Sequence, residues 1–387
     1  MTSSSRPQYR FESVVHPERD AAFKRTAPSK RIIKELRKDT TIACTNCGRL
    51  GNEDDVELKK CSGCKVALYC STDCQKQHWS EHKPNCSTEF GQGIGPLIGN
   101  VIANPMLSHF IQVCLCLKFN LHNLDGRPPA ERTKFVRSPL LAHMDVGIEP
   151  TMIADFNNLF TYPDTWDKDD LEGMLQFHNL STGTREQILT DTNAAVWKQV
   201  RDMTDQDGGK AHAVVLVQFV NNFKQSITCP IVVGQEALDM ARDTPTLRMA
   251  SALTGEESTK PFDIPGVLEY MNTHIRSDKK NKLLLRTPMR EIDKELIRQA
   301  SRNVQSHAPQ ALRLKVGREH VYLRFRINPA DGIPRPIFPL GEDRQAEGDP
   351  EVEPTGHEGQ EPPTTGNRAE RRRLEREFKK EQKKRRH

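Results

Sequence analysis

Eight residues whose side chains can bind metal ions lie between positions 44 and 86, and they are grouped in four closely spaced pairs. Two pairs have the spacing Cys-x2-Cys, the third is Cys-x3-Cys and the fourth is His-x3-Cys. A tight turn in Cys-x2-Cys presents both sulfur atoms to one point, and residues four apart lie on the same face of a helix. Each pair can therefore share one ion. The eight residues are Cys44, Cys47, Cys61, Cys64, Cys70, Cys74, His82 and Cys86.

The lengths of the intervening segments favour an interleaved pairing. Residues 65–69 alone separate the second pair from the third, which leaves too little chain for two consecutive, independent zinc sites. In the cross-braced arrangement the first and third pairs bind one ion, and the second and fourth pairs bind the other. Sequential pairing is the alternative. Both cross-braced sites have four protein ligands and no position for water or substrate, which is typical of structural zinc. We predict two structural Zn²⁺ ions per chain as the cofactors.

A different explanation for these cysteines is a set of disulfides or buried free thiols. The chain has ten cysteines in 387 residues, and seven of them fall within this one short segment, unlike a scattered population of core cysteines. The N-terminal sequence has no signal-peptide pattern that would direct the chain to an oxidising compartment. Zinc binding is therefore the favoured interpretation, and we expect an intracellular protein.

The run from Cys61 to Cys86 resembles a MYND-type zinc finger, both in its ligand spacing and in the residues between the ligands. The resemblance covers roughly residues 44–86 and implies a small ββα-like double-zinc module for protein–protein contacts, often in transcriptional or chromatin regulators. In family members that bind proline-rich peptides, the groove follows the sixth ligand, and the matching positions here are Gln75 and Trp79. The alternative for Trp79 is a place in the small apolar core of the module.

The same resemblance raises one class of enzyme, the lysine methyltransferases in which a MYND module interrupts a SET domain. Such an enzyme needs a glycine-containing cofactor loop upstream of the finger and an Asn-His pair downstream. Residues 1–43 contain no glycine, and the Asn-His dipeptide does not occur in the chain. We therefore reject a SET-type methyltransferase, and no catalytic residues are predicted. Three histidines outside the finger are isolated in the sequence and are interpreted as surface or satisfied core residues: His143, His178 and His212.

Shifts in composition divide the chain into five segments. Residues 1–40 form a basic polar N-terminal segment, and residues 41–88 form the finger. Residues 89–340 are predicted to be a larger α+β domain of unknown function. Residues 341–366 are rich in Glu, Asp, Gly, Pro and Gln, and with few apolar side chains they are predicted to be a disordered acidic linker. Residues 367–387 form a basic tail that is partly helical.

The larger domain mixes two hydrophobic periods without a regular βαβ alternation, and this mixture favours the α+β class. Helices are predicted at 106–121, 184–201, 234–242, 267–277 and 290–302, with a further short helix near 29–38 before the finger. Strands are predicted at 214–220 and 226–233, followed by a final hairpin of 312–316 and 320–327. Cys114 and Cys116 fall on the first of these helices, where the spacing is expected to serve core packing.

The net charge of +5 is a property of the tail, because residues 368–387 contain eleven Lys or Arg and four Glu. Such an arm favours nuclear import, contact with nucleic-acid phosphates or docking on an acidic partner, and a solubility tail is the alternative. We expect a nuclear or cytoplasmic location, with the nucleus favoured. The apolar runs are too short for a membrane span, so no membrane partner is predicted.

Taken together, these features predict a zinc-binding adaptor for protein–protein interactions, with partner peptides bound by the finger, and the resemblance implies a regulator of transcription or chromatin. The competing hypothesis is an enzyme of unidentified class with its active site in residues 89–340 and the finger as a regulatory attachment. A pocket lined by convergent titratable groups favours the enzyme.

Overall fold

A computed structural model of the protein describes nine stretches of the chain. They are residues 17–37, 43–51, 56–64, 67–86, 93–222, 225–250, 257–323, 325–327 and 334–336. The predicted acidic linker at 341–366 and the predicted basic tail at 367–387 lie outside the described residues.

The finger region and the segment before it contain short elements. The helices are α1 (Pro17–Thr26), α2 (Lys30–Leu36), α3 (Thr72–Gln77) and α4 (Trp79–His82), and the strands are β1 (Lys59–Lys60) and β2 (Leu68–Tyr69). β1 and β2 pair antiparallel. Together with α3 they give the ββα order that the resemblance implied.

The larger domain contains longer helices and strands. Its helices are α5 (Gly95–Ile102), α6 (Pro105–Phe119), α7 (Pro129–Val136), α8 (Ile153–Thr161), α9 (Arg185–Ile188), α10 (Asp191–Gln206), α11 (Gln235–Asp243), α12 (Ile264–Arg276), α13 (Glu291–Ser301), α14 (His307–Arg318) and α15 (His320–Leu323). Its strands are β3 (Leu140–Pro150), β4 (Glu172–Thr182), β5 (Val214–Asn221), β6 (Gln225–Val232), β7 (Thr246–Ala250), β8 (Glu257–Pro261), β9 (Arg286–Pro288), β10 (Phe325–Ile327) and β11 (Pro334–Pro336). The described residues also include the 3₁₀ turns Lys83–Asn85 and Leu121–Gly126.

A five-stranded mixed sheet organises the larger domain, in the order β6-β5-β3-β4-β9. β3 is central, and it pairs parallel with β5 and antiparallel with β4. All eleven residues of β3 are buried. Because a mixed sheet is combined with helices that do not alternate regularly with its strands, the predicted α+β class is confirmed.

The apolar core lies between this sheet and the buried helix α6. Asn104 begins α6 by accepting hydrogen bonds from the backbone N–H groups of Met106 and Leu107, which satisfies donors that have no partner within the helix. Cys114 and Cys116 are both completely buried in the core, as expected from their spacing. Burial raises the pKa of Cys116 to about 11, so this thiol stays neutral at physiological pH.

Most of the predicted helices and strands agree with the structure within a few residues, but the predicted helix 184–201 is divided into α9 and α10, and the end of the domain also differs. The predicted hairpin of 312–316 and 320–327 is wrong, because residues 312–316 lie in α14 and residues 320–323 form α15, while the end of the predicted second strand is β10, which pairs with β11 instead. Leu312 and Lys315 are both buried on α14. Because one of these buried positions is a lysine, the sequence does not show the spacing of apolar residues that indicates a helix.

The finger is packed against the larger domain through the loop that follows its first ligands. Leu50 is completely buried in an apolar cluster with Val196, Val200 and Val214. The Thr192 hydroxyl donates a hydrogen bond of 3.1 Å to the backbone carbonyl of Asn46. The two regions therefore share a small apolar contact between this loop, α10 and β5.

Among the described residues, no single helix combines the length and the hydropathy needed to cross a membrane. Helices α5 and α6 meet both requirements only as a pair, and the pair is bent by 88°.

Candidate metal centre

The first group of potential ligands combines Cys44, Cys47, Cys70 and Cys74, whose sulfur atoms all lie within 4.8 Å of one another. The Sγ atom of Cys70 is 3.6 Å from that of Cys47 and 3.5 Å from that of Cys74. Cys74 lies in the first turn of α3, and its backbone N–H donates to the Ser71 hydroxyl that caps this helix. The helix start therefore places two thiols four residues apart at one point.

The second group combines Cys61, Cys64, His82 and Cys86. The Sγ atoms of Cys61 and Cys86 are 3.7 Å apart, and Nε2 of His82 is 3.4 Å from Sγ of Cys64. Gly63 lies in the turn between the two cysteines, where a Cβ atom would approach the Cys86 sulfur to 3.0 Å. A residue without a side chain therefore lets this turn close on the fourth ligand.

These two groups are the predicted cross-braced pairs, and their geometry fits zinc. Four sulfur atoms at about 2.3 Å from one ion in a tetrahedral arrangement lie about 3.8 Å apart, close to the separations of 3.5–3.7 Å found here. The donor sets S₄ and S₃N are those of closed structural sites. The eight residues therefore suit two ions with no position left for a substrate.

Burial, hydrogen bonds and neighbouring groups shift the pKa values of several ligands in different directions. Burial raises the pKa of Cys70 to about 12 and that of Cys86 to about 11. For Cys74, hydrogen bonds from Asn46 and Ser71 outweigh the effect of burial and lower the pKa to about 7. Burial and the neighbouring His78 lower the pKa of His82, which favours the neutral imidazole that metals bind.

His78 has a different role from His82, although it lies four residues earlier. The Tyr69 hydroxyl is 2.9 Å from Nδ1 of His78, and Glu81 lies 3.7 Å from its Nε2 atom. Tyr69 is itself buried in the small core of the finger, together with Ala67 and several cysteines. His78 therefore supports this core by hydrogen bonding.

The two residues predicted to bind peptides differ in exposure. Gln75 on α3 is half-buried, and its Nε2 atom lies 3.7 Å from the Cys61 sulfur. Trp79 begins α4 and is 42% exposed, and its ring centroid lies 5.9 Å from that of His82. Trp79 does not belong to the apolar cluster that fills the described part of the finger. The structure therefore leaves much of the indole accessible beside a proposed zinc ligand.

A buried network of charged residues in the larger domain escaped the sequence reasoning. Lys315 donates a hydrogen bond of 2.7 Å to Glu149, and Nε2 of His178 is 3.0 Å from the same carboxylate. Arg276 and Tyr322 also bind Glu149. Burial alone would raise the pKa of Glu149, but the charge of Lys315 and the hydrogen bond with His178 outweigh it and hold the pKa well below its usual value. His178 is thus a satisfied buried histidine, as expected.

A groove of about 660 Å³ lies on the larger domain beside α6 and α11. Its lining includes the apolar residues Leu36 and Ile102 and the titratable residues His109 and Glu236. None of the charged residues that surround Glu149 lines this groove. The groove and the buried network around Glu149 are therefore separate features of the larger domain.

Two protein families match the chain. Residues 44–86 match the MYND finger family, which confirms the resemblance seen in the sequence. Residues 94–322 match a family described as a domain of unknown function (DUF8205).

Several curated proteins are similar to the finger region. A SET and MYND domain-containing protein of Dictyostelium discoideum is 47% identical over 47 residues, which are 12% of this chain and 9% of that protein. Protein CBFA2T2 of Xenopus laevis is 32% identical over 76 residues, 20% of this chain and 12% of its own. The human histone-lysine N-methyltransferase SMYD3 is 47% identical over 45 residues, 12% of this chain and 10% of its own. The matched region thus covers about a tenth of each relative, and no solved structure matches the chain.

Proposed function

Because the chain belongs to the DUF8205 family and carries a MYND finger, we propose that it is a zinc-stabilised adaptor whose finger binds peptides of partner proteins. The eight cysteine and histidine ligands hold two Zn²⁺ ions, and these ions supply the folding free energy of a module too small to fold through its apolar core alone. The larger domain carries the finger and contributes a function of its own.

The observation that supports peptide binding most directly is the exposed indole of Trp79. A large aromatic side chain left partly in water has an apolar body for packing and an N–H group for hydrogen bonding, and such residues dominate binding energy at interfaces. Gln75 lies four residues earlier on the preceding helix, and its amide can both donate to and accept from a peptide backbone. We propose that this pair binds proline-containing peptides.

Substitution of Trp79 by alanine tests this proposal in the full chain. Binding of fluorescent proline-containing peptides is measured by anisotropy, and zinc per chain is measured in the same samples. We expect W79A to lose peptide binding and to keep both zinc ions. Ile32→Ala is the matched control, because Ile32 is 41% exposed and lies outside the finger. Zinc loss in W79A, or peptide binding equal to the wild type, would contradict the proposed groove.

Affinity purification with the wild-type chain and with one finger variant identifies the partners that bind through the finger. The intact chain and Cys70→Ser are used as baits under the same conditions. Partners that require the finger are captured by the first bait and lost from the second. If the same proteins are recovered with both baits, the finger does not select the partners and the adaptor proposal fails.

The basic tail supports a nuclear location in this proposal. Eleven basic residues in the last twenty positions can serve import or bind an acidic partner or nucleic-acid phosphates. The finger and the tail then have separate tasks, since one selects partner peptides and the other places the protein in a compartment.

A further inference from the structure

A third group of metal-binding side chains lies in the larger domain, outside the finger. It consists of His143 and Asp145 on β3 and His307, the first residue of α14. One ligand atom from each residue lies within 4.8 Å of the other two. His307 is distant from the others in sequence, so this group exists only because α14 folds back onto the central strand.

The strand geometry explains why His143 and Asp145 share one face. Side chains alternate along a strand, so residues two apart point to the same side of the sheet. The residues between and beside them, Ala142, Met144 and Val146, belong to the apolar core. β3 therefore has an apolar set of positions and a polar set, and the polar set faces the start of α14.

Both imidazoles present the same atom to one carboxylate. Nε2 of His143 is 3.0 Å from Oδ1 of Asp145, and Nε2 of His307 is 3.0 Å from Oδ1 and 2.9 Å from Oδ2. The two rings are close to perpendicular, with centroids 5.5 Å apart. Three potential ligand atoms thus converge from two elements of the fold.

These separations match those of neighbouring ligands around a metal ion. Histidine nitrogens and carboxylate oxygens bind transition metals at about 2.0–2.2 Å. Adjacent ligands are then about 3.0 Å apart in an octahedral site and about 3.4 Å apart in a tetrahedral site. Two histidines and one carboxylate suit divalent transition metals, whereas Ca²⁺ and Mg²⁺ prefer oxygen ligands alone.

The exposure of one ligand gives an ion access to this group, and the burial of the other two favours a positively charged ion. His143 and Asp145 are buried, while the side chain of His307 is 44% exposed and leaves a route from solvent. A divalent cation would provide the positive charge that a buried carboxylate favours. Three protein ligands leave further coordination positions for water, in contrast to the four ligands at each site in the finger.

We propose that His143, Asp145 and His307 form a third metal site, which binds one divalent transition-metal ion of the zinc and cobalt class and is open to solvent. The site is independent of the finger and of its proposed peptide binding. Binding of the ion requires only that metal–ligand bonds replace the hydrogen bonds that join the three side chains.

Titration with Co²⁺ tests this site in the full chain loaded with only two equivalents of Zn²⁺, which fill the two four-ligand sites of the finger and leave the third site for cobalt. Zinc binds nitrogen and sulfur ligands more tightly than cobalt does, so the finger retains its zinc during the titration. We expect one further equivalent of Co²⁺ to bind, with visible absorption from nitrogen and oxygen ligands and without the near-ultraviolet charge-transfer band of cobalt thiolates. No further binding, or a thiolate band, would overturn the proposal.

Three variants assign the additional equivalent to these residues. Asp145→Asn keeps the shape of the side chain, and His307→Ala changes a partly exposed residue, so a folding defect in the first variant does not compromise the second. Both are expected to weaken Co²⁺ binding at least about a hundredfold, since even residues behind the ligands change metal affinity 10–100-fold. His212→Ala, the matched control, is expected to bind like the wild type. If H307A binds Co²⁺ as tightly as the wild type, the three side chains form a hydrogen-bonded group and not a metal site.

Discussion

Replacement of Lys315 by methionine tests the buried charge network, because it removes one cation and keeps a long side chain in its place. Lys315 is completely buried, and its Nζ atom lies 2.7 Å from Glu149 and 3.4 Å from Glu319. Both carboxylates are also buried, so water cannot replace the lost cation. Loss of one partner from a buried ion pair costs about 3–5 kcal/mol, and we expect K315M to lower the free energy of unfolding by this amount.

Lys294 on α13 supplies the matched control. Its side chain is also buried, and its Nζ atom lies 2.9 Å from Asp167 and 3.5 Å from Glu291. These carboxylates are 54% and 64% exposed, so water can solvate them when the lysine is removed. Lys294→Met should therefore cost only about 0–1 kcal/mol, as for exposed pairs. Urea unfolding followed by circular dichroism compares the two variants, and equal losses of unfolding free energy would contradict the expected effect of carboxylate burial.

The pH dependence of K315M provides a second check on the same network. Burial raises the pKa of Glu319, and Lys315 opposes this effect. Without the lysine, the folded pKa of Glu319 rises further above its unfolded value, so the folded state binds a proton more tightly than the unfolded state. Stability gained from this proton is present at low pH and is lost as pH rises through the folded pKa. The loss of unfolding free energy caused by K315M should therefore be larger at neutral pH than at acidic pH.

Two further predictions concern the zinc ions and the tail. Metal analysis in reducing buffer should find two zinc ions in the finger, and chelation should unfold residues 44–86 while the larger domain stays folded but loses stability, because Leu50 leaves its contact with Val200. A finger that stays folded after complete chelation would contradict this. Deletion of residues 367–387 should reduce nuclear accumulation and remove salt-sensitive binding to acidic polymers. Unchanged distribution and unchanged binding in the truncated chain would leave the solubility tail as the remaining interpretation.

The finger was predictable from sequence because its structure depends on ligand spacing. A pair such as Cys70 and Cys74 encodes a helical turn and a shared ligand point within five residues, without reference to the rest of the chain. The apolar helix α6 was predictable for a similar reason, since its seven buried residues are all apolar and lie close together in the sequence between Leu107 and Cys116. Local patterns of this kind determine local structure.

The central strand β3 was not predicted because its buried residues are partly polar. His143, Asp145 and Glu149 interrupt the apolar run, and their partners come from residues that are distant in sequence, such as Lys315. A single sequence does not indicate that a lysine after position 300 compensates a carboxylate near position 150. The third metal-binding group was missed for the same reason, because His307 joins it only through the position of α14.

The attachment of the finger supports the adaptor proposal, because it uses residues other than those proposed to bind peptides. The contact with α10 involves Asn46 and Leu50, which belong to the loop after the first ligands. Trp79 lies on α4 and remains 42% exposed while this contact is made. Because the finger is held in this way, Trp79 loses little conformational freedom when a peptide binds. A preorganised site of this kind has a smaller entropy cost of binding. If this reasoning holds, Leu50→Ala should weaken peptide binding without changing any residue of the proposed groove, whereas an unchanged affinity would show that docking plays no part in recognition.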